Sequence, residues 1–149
     1  MDASNDKSRS PSKYVCFKLS RAMRKVHRYY ESNLSQYGIT PAQFYVLSAV
    51  WERDGLKFKD LAKSLDMDGS TLTSILDRME RLDLVERRND PEDRRSLLVF
   101  LKEKAKHKFA EITHLAEELQ QEIKERFSDE EFAAFERVLD KFSQESSDS

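Results

Sequence analysis

Two adjacent arginines, Arg94 and Arg95, lie near the end of the segment "NDPEDRRS" (89–96), behind Asp90, Glu92 and Asp93. A guanidinium is always charged and carries five donors, so the pair suits phosphate oxygens or the narrow, negative minor groove of a duplex. Asp93 stands two residues before Arg95. Its carboxylate is expected to hold that guanidinium in one rotamer, so that less entropy is lost when DNA arrives. Asp90 and Glu92 are expected to offset charge and restrain non-specific binding. A solvated charge run is the other reading of the same residues. Upstream, "DGSTLTSILDR" (68–78) groups Ser70, Thr71, Thr73 and Ser74 ahead of Asp77 and Arg78, with Arg81 a turn later. Short hydroxyl side chains let a helix sink into a major groove and pair with base edges or phosphates. Free N–H groups at a helix start favour a phosphate oxygen. Plain capping and solvation of that helix is the alternative, since Ser and Thr favour helix starts.

Other chemistry is thinly represented. His27, His107 and His114 are the three histidines. His107 and His114 are seven apart, whereas ligand pairs on a helix come at three or four, so no metal or cofactor is expected. There is no glycine-rich phosphate loop, and no enzyme is expected. Cys16 is the one cysteine and cannot form an internal disulfide. A thiol in the first turns of a helix can have a lowered pKa and react with peroxides. It can equally be a small apolar residue on a buried stripe.

The elements that must position these residues follow from periodicity. Val15, Cys16, Leu19, Met23, Val26, Tyr30 and Leu34 recur at three and four, which predicts a helix from Tyr14 to about Ser35, stopped near Gly38. "TPAQ" (40–43) predicts a second start, with Thr40 as cap and Phe44, Leu47, Val50 and Trp51 inward to about Glu52. An extended pair, Leu56–Lys57, precedes a short helix using Phe58, Leu61, Ala62 and Leu65. "DMDGS" (66–70) breaks it with a tight glycine-containing turn. The next helix runs to about Leu82, burying Leu72, Ile75, Leu76, Met79 and Leu82. Two short helices with such a turn form a helix-turn-helix. Residues 84–88 and 96–101 predict a hairpin, the wing, with the arginines at its tip. A single helix is expected over 102–127, and "SDEE" (128–131) predicts a capping box for a last helix that turns Phe132, Phe135, Val138, Leu139 and Phe142 inward.

The fold expected is mainly α (α+β), a winged helix-turn-helix with N- and C-terminal dimerisation helices. One domain spans 14–142, with dimerisation segments 14–36 and 105–142 and a DNA-binding segment 55–102. Tails at 1–13 and 143–149 are expected to be disordered. The 149 residues carry a net charge of −2. The charge is uneven. Residues 1–56 have nine Lys/Arg against five Asp/Glu, residues 57–108 thirteen against eleven, and residues 109–149 four against twelve. A basic front can meet a polyanion while an acidic end faces away. No stretch approaches the roughly 20 apolar residues of a membrane span and no signal peptide is visible, so a cytoplasmic protein is expected. The terminal helices carry more aromatic stripe than the winged part can cover, which points to self-association.

The segment from "LAKSLDMDGSTLTSILDRMERLDLVERR" to "NDPEDRRSLLVFL" (61–101) resembles the DNA-binding core of MarR-family transcriptional regulators. "DRME" (77–80), "LVER" (84–87), "DPEDRR" (90–95) and "GITPAQFYVL" (38–47) carry the likeness, which spans about 14–142. The resemblance implies a homodimer, triangular in outline, acting on an inverted repeat of double-stranded DNA, more often as a repressor. It implies that Ser70, Thr71, Thr73, Ser74 and Arg78 face the major groove and that Arg95 enters the minor groove. Two departures stand out. Lys57 holds a place where the family often caps with Ser or Thr, and Lys102 replaces a common Thr. Neither is placed on the expected DNA face. A winged-helix protein-interaction module without DNA binding is the alternative function.

The position of Cys16 and "DGSTLT" also resemble the branch of the family that senses organic hydroperoxides. Tyr30 matches one of that branch's tyrosines, but Ser20 and Pro41 stand where two others would be. The effector left open is thus an organic hydroperoxide acting on Cys16, or a phenolic or aromatic acid. A cleft for the latter would draw on Arg21, Arg24, Lys25, His27 and Tyr29, which could also be a wet helix face.

Overall fold

The computed structural model describes residues 10–145. Most of the two expected tails, 1–9 and 146–149, lies outside them. Pro11–Lys13 form a turn of 3-10 helix, and the last helix runs on to Glu145. The chain divides into two compact units that part between Pro41 and Ala42.

In the first unit, α1 (Val15–Leu34) follows the predicted stripe and passes into a 3-10 turn, Ser35–Tyr37. Gly38 ends it at φ +69°, donating its N–H to Ser35 O, the left-handed stop foreseen in the sequence. Tyr30 and Leu34 are buried, whereas Val15, Phe17 and Met23 near the other end are exposed.

The second unit holds α2 (Pro41–Glu52) beyond its first residue, then β1 (Leu56–Lys57), α3 (Phe58–Ser64), α4 (Gly69–Arg81), β2 (Val85–Asn89), β3 (Leu97–Leu101), α5 (Glu103–Ile112), α6 (His114–Lys124) and α7 (Asp129–Glu145). Its core gathers Phe44, Val46, Leu47 and Val50 of α2, Leu61, Leu72, Leu76 and Met79 of the paired short helices, Val85 and Val99 of the sheet, and Phe109 and Ile112 of α5. Trp51, expected inward, is 48% exposed, with its ring 4.9 Å from that of Phe109. Phe109 lies in turn on Phe44, so Trp51 covers the core edge instead of filling it.

The sheet is antiparallel in the order β1-β3-β2, with Leu56 opposite Val99 and Val85 opposite Leu101. Opposed residues share a face, so Leu56, Val99 and Arg87 look one way and Lys57, Leu98 and Arg88 the other. Arg88 lies over the Phe100 ring, 4.4 Å from its centroid, and pairs with Glu86. Gly55, at φ +78°, sits under the same ring, where a Cβ would come within 2.8 Å.

Three local expectations are corrected. The turn between α3 and α4 is made by Asp66, at φ +50°, and Gly69 is the first residue of α4. Leu82 is 43% exposed, because the chain turns at Asp83 (φ +62°) and it is Leu84 that is buried. The single helix expected over 102–127 is two, α5 and α6, parted at Thr113, where Ala116 N–H reaches Thr113 O in a tighter 3-10 step. The capping box of α7 is present in both halves: Glu131 N–H donates to Ser128 Oγ at 3.1 Å, and Ser128 N–H to Glu131 Oε1 at 3.1 Å. The stripe of α7 is not inward in this chain; Phe135, Val138, Leu139 and Phe142 are all exposed. Among the described residues no helix is long and apolar enough to cross a membrane.

Candidate nucleic-acid interface

α4 starts where its sequence provides a cap. Asp68 Oδ1 accepts from Thr71 N–H and from Ser70 Oγ, both at 2.7 Å. The Thr71 N–H and the two hydroxyls hold the Asp68 carboxyl below its usual range. Leu72, Leu76 and Met79 are completely buried, which sets the opposite face outward. Ser70, Thr71, Thr73, Ser74 and Arg78 are all exposed there, as is Arg81. Arg78 and Arg81 make no ion pair with the described residues. Ser70 and Thr71 direct their hydroxyl protons to the Asp68 cap, so toward a ligand they are acceptors, while Thr73 and Ser74 keep donors as well.

Asp77 was expected on the open face. It is instead half-buried and engaged by Arg87 of β2. Arg87 Nε and Nη2 donate to Glu80 Oε1 and Oε2, both at 2.9 Å, and Nη2 also reaches Asp77 Oδ1 at 2.5 Å. The main-chain N–H of Arg87 adds a fourth bond, to Glu80 Oε1 at 3.1 Å. Glu80 above all, then Asp77, raises the arginine's pKa, and Arg87 lowers that of Glu80. A bidentate fork fixes direction as well as distance, so the wing's first strand is tied to the recognition helix. "DRME" and "LVER" hold all three residues. Two acids three apart on one helix face, with a basic residue entering a strand, were the available signal for this clamp.

The wing loop 90–96 is organised by its acids. Asp90 is only 6% exposed. Its Oδ1 accepts from Glu92 N–H at 2.9 Å, and its main-chain N–H donates to Ser96 O at 3.0 Å. Its role is to shape the loop, which replaces the expected charge-offsetting role. Asp93 also acts differently from expectation. Its Oδ1 accepts from the main-chain N–H of Arg95 at 3.1 Å and its Oδ2 from Ser96 Oγ at 3.0 Å, not from the guanidinium. Asp93 therefore supports the wing by closing the turn. Arg94 and Arg95 are exposed and make no ion pair with the described residues. At the base of the hairpin, Lys102 Nζ binds Asp83 Oδ1 at 2.5 Å and holds its carboxyl below the usual range. Neither Lys57 nor Lys102 makes a side-chain cap bond to the helix it precedes.

The residues suspected of sensing lie in the first unit. Cys16 is exposed and Tyr30 is 7% exposed with its ring edge-on to Tyr29. Fourteen residues apart on one helix, the two stand about 21 Å apart along the axis. Tyr30 therefore cannot serve Cys16 within one chain. A shallow groove of about 400 Å³ runs along α1, lined by Ser20, Met23, Arg24, His27 and Arg28. Of the expected cleft residues only Arg24 and His27 line it, and His27 faces Glu31 at 3.7 Å. Among the described residues no cluster of His, Cys, Asp and Glu could hold a metal ion.

A buried-core helix pair, an open hydroxyl face and a clamped hairpin with free arginines define a winged helix-turn-helix of the DNA-binding type. Comparison with known proteins gives the family. Residues 39–97 match the MarR family profile. Bacillus subtilis YsmB, an uncharacterised HTH-type transcriptional regulator, is 36% identical over 112 residues, 75% of this chain and 77% of that protein. The HTH-type transcriptional regulator MgrA of Staphylococcus aureus is 30% identical over 119 residues, 74% of this chain and 81% of MgrA. The transcriptional repressor CouR, solved on a 23-mer DNA duplex, superposes with a TM-score of 0.80 at 25% identity, covering 92% of this chain and 97% of that one. The chain belongs to the MarR family of DNA-binding transcriptional regulators. That membership sets aside the alternative of an interaction module without DNA.

Proposed function

We propose that the protein is a cytoplasmic homodimeric repressor of an inverted-repeat operator. Two α4 helices enter successive major grooves about 34 Å apart, one helical turn. Ser70, Thr71, Thr73, Ser74 and Arg78 meet base edges and phosphates there, and Arg95, seconded by Arg94, enters the flanking minor groove. The observation that carries this reading is the Arg87 fork, which ties the arginine-tipped wing to the open face of α4. The exposed apolar residues of α1 and of α7 supply the surface for dimerisation. DNA release follows from a shift in the spacing or tilt of the two lobes. The trigger is oxidation of Cys16, or binding of an aromatic acid.

The test is a gel shift on the DNA upstream of the protein's own gene. Arg95→Ala should weaken binding at least tenfold while the melting temperature stays within a degree or two. Unchanged affinity at physiological salt removes the wing from the mechanism. Cumene hydroperoxide should release the wild type but not Cys16→Ser; release of both excludes the thiol as trigger.

A further inference from the structure

Lys57 was placed off the expected DNA face by its position ahead of the first helix of the motif, and Lys59 follows it two residues on. The fold puts them beside the wing. β1 pairs with β3, so Lys57 stands opposite Leu98, one residue inside the start of the wing's second strand. Its Nζ lies 3.9 Å from Asp90 Oδ2, at the root of the tip loop. Lys59, two residues on in the first turn of α3, is exposed and makes no ion pair with the described residues.

The loop's carboxylates offset this edge only in part: Asp90 pairs loosely with Lys57, and Asp93 interacts with both lysines at longer range. Asp90 and Asp93 are already committed to main-chain N–H groups and to Ser96, as described above. The charges of both lysines also act on Asp93. Its pKa is lowered first by the Arg95 N–H, then by the Ser96 hydroxyl, and then by the charges of Lys57 and Lys59. Lys57 thus borders the loop that carries Arg94 and Arg95, with Lys59 two residues on in the first turn of α3. Lys57 keeps 52% of its side chain exposed, so its contact with Asp90 is loose enough to be exchanged for a better anion.

We propose that Lys57 and Lys59 form a backbone-phosphate site beside the wing, holding the strand that borders the minor groove Arg95 enters. The inference rests on the DNA-binding reading above and deepens it. A compact, rotatable ammonium suits a phosphate as a point charge and carries no base information. The site therefore adds affinity and register, not sequence preference. It also gives a reason for Lys57 at a cap position where it makes no cap bond.

The experiment is the salt dependence of binding, measured on an operator duplex and on an unrelated duplex between 50 and 200 mM salt. Each phosphate neutralised contributes about 0.9 to the slope of log K against log salt. Lys57→Gln with Lys59→Gln should lower the slope by about 1.8. Across that fourfold salt range the wild type should then lose roughly tenfold more affinity than the variant. The ratio of operator to unrelated binding should be unchanged, and Lys57→Arg with Lys59→Arg should keep the full slope. Lys59→Gln alone disturbs no contact in the fold and should remove about 0.9, which keeps the test decisive if the double variant loosens the wing. A wild-type slope in Lys59→Gln and in the double variant overturns the site. So does a collapse of the operator preference at constant slope. If the wild type itself binds neither duplex, the DNA-binding reading fails, and the lysines are not the cause.

Discussion

Arg87 makes four hydrogen bonds across two elements, three from its side chain and one from its main chain. Its side chain is 19% exposed and that of Asp77 43%, so the pairing is partly screened and worth less than in a dry core. Arg87→Ala should cost about 1–2 kcal/mol in urea unfolding, the range for hydrogen bonds to charged groups discounted for exposure. Arg87→Lys is the sharper probe. It keeps the charge but loses the fork, and should recover less than half of that stability. A lysine variant as stable as the wild type would mean that charge alone matters and that the wing is not directionally held. Glu80 and Asp77 were visible in the sequence as part of "DRME", yet Asp77 read as an open-face residue. Helical spacing assigns a face, but it cannot say that a strand ten residues later comes back to cover that face.

Among the elements, the two glycines near the winged motif make opposite demands. Gly55 combines φ +78° with a Phe100 ring that a Cβ would meet at 2.8 Å. Gly55→Ala should therefore destabilise the fold by about 1–3 kcal/mol and loosen the sheet at β1. Gly69, the glycine that the sequence suggested for the helix-turn-helix turn, opens α4 with only ordinary contact to Phe58 at 3.7 Å. Gly69→Ala should be neutral or stabilise by under about 1 kcal/mol, because alanine loses less backbone entropy in a helix. Equal losses in the two variants by chemical denaturation would contradict this division of labour. The turn's left-handed residue is Asp66, a residue type that tolerates that region better than most. Turn chemistry in the sequence located the break within a few residues, but the assignment of the strained position depended on how α3 and α4 pack.

At the scale of the whole molecule, α7 leaves Val138 and Phe142 more than 60% exposed, with Phe135 and Leu139 near 40%. A stripe of that kind on a capped, regular helix is the surface that the proposed dimer would cover. Leu139→Asp with Phe142→Asp should leave each chain folded, because neither residue is buried in it. The pair should convert a dimer to a monomer in sedimentation. Operator affinity should then fall by a factor of 100 or more, since the second half-site no longer binds at high effective concentration. A variant that stays dimeric with full affinity would move the interface away from α7. The winged core, the terminal helices and their surplus of apolar surface were all legible as patterns. Their exposure in a single chain was not, because the same stripe reads alike whether its own core or a second subunit covers it.

Local physics was settled by the sequence alone: the capping box at Ser128, the stop at Gly38, and the burial of Leu72, Leu76 and Met79 on one face of α4. Those choices depend on neighbours within one or two turns, which the chain order states directly. Tertiary structure alone decided which charges meet. It sent Arg87 to Glu80, buried Asp90 under the wing, gave Asp93 to a main-chain N–H, and carried Lys57 to the edge of the tip. Several of these partners come from separate elements, and a charged residue takes its meaning from whatever the fold brings within a few ångströms of it.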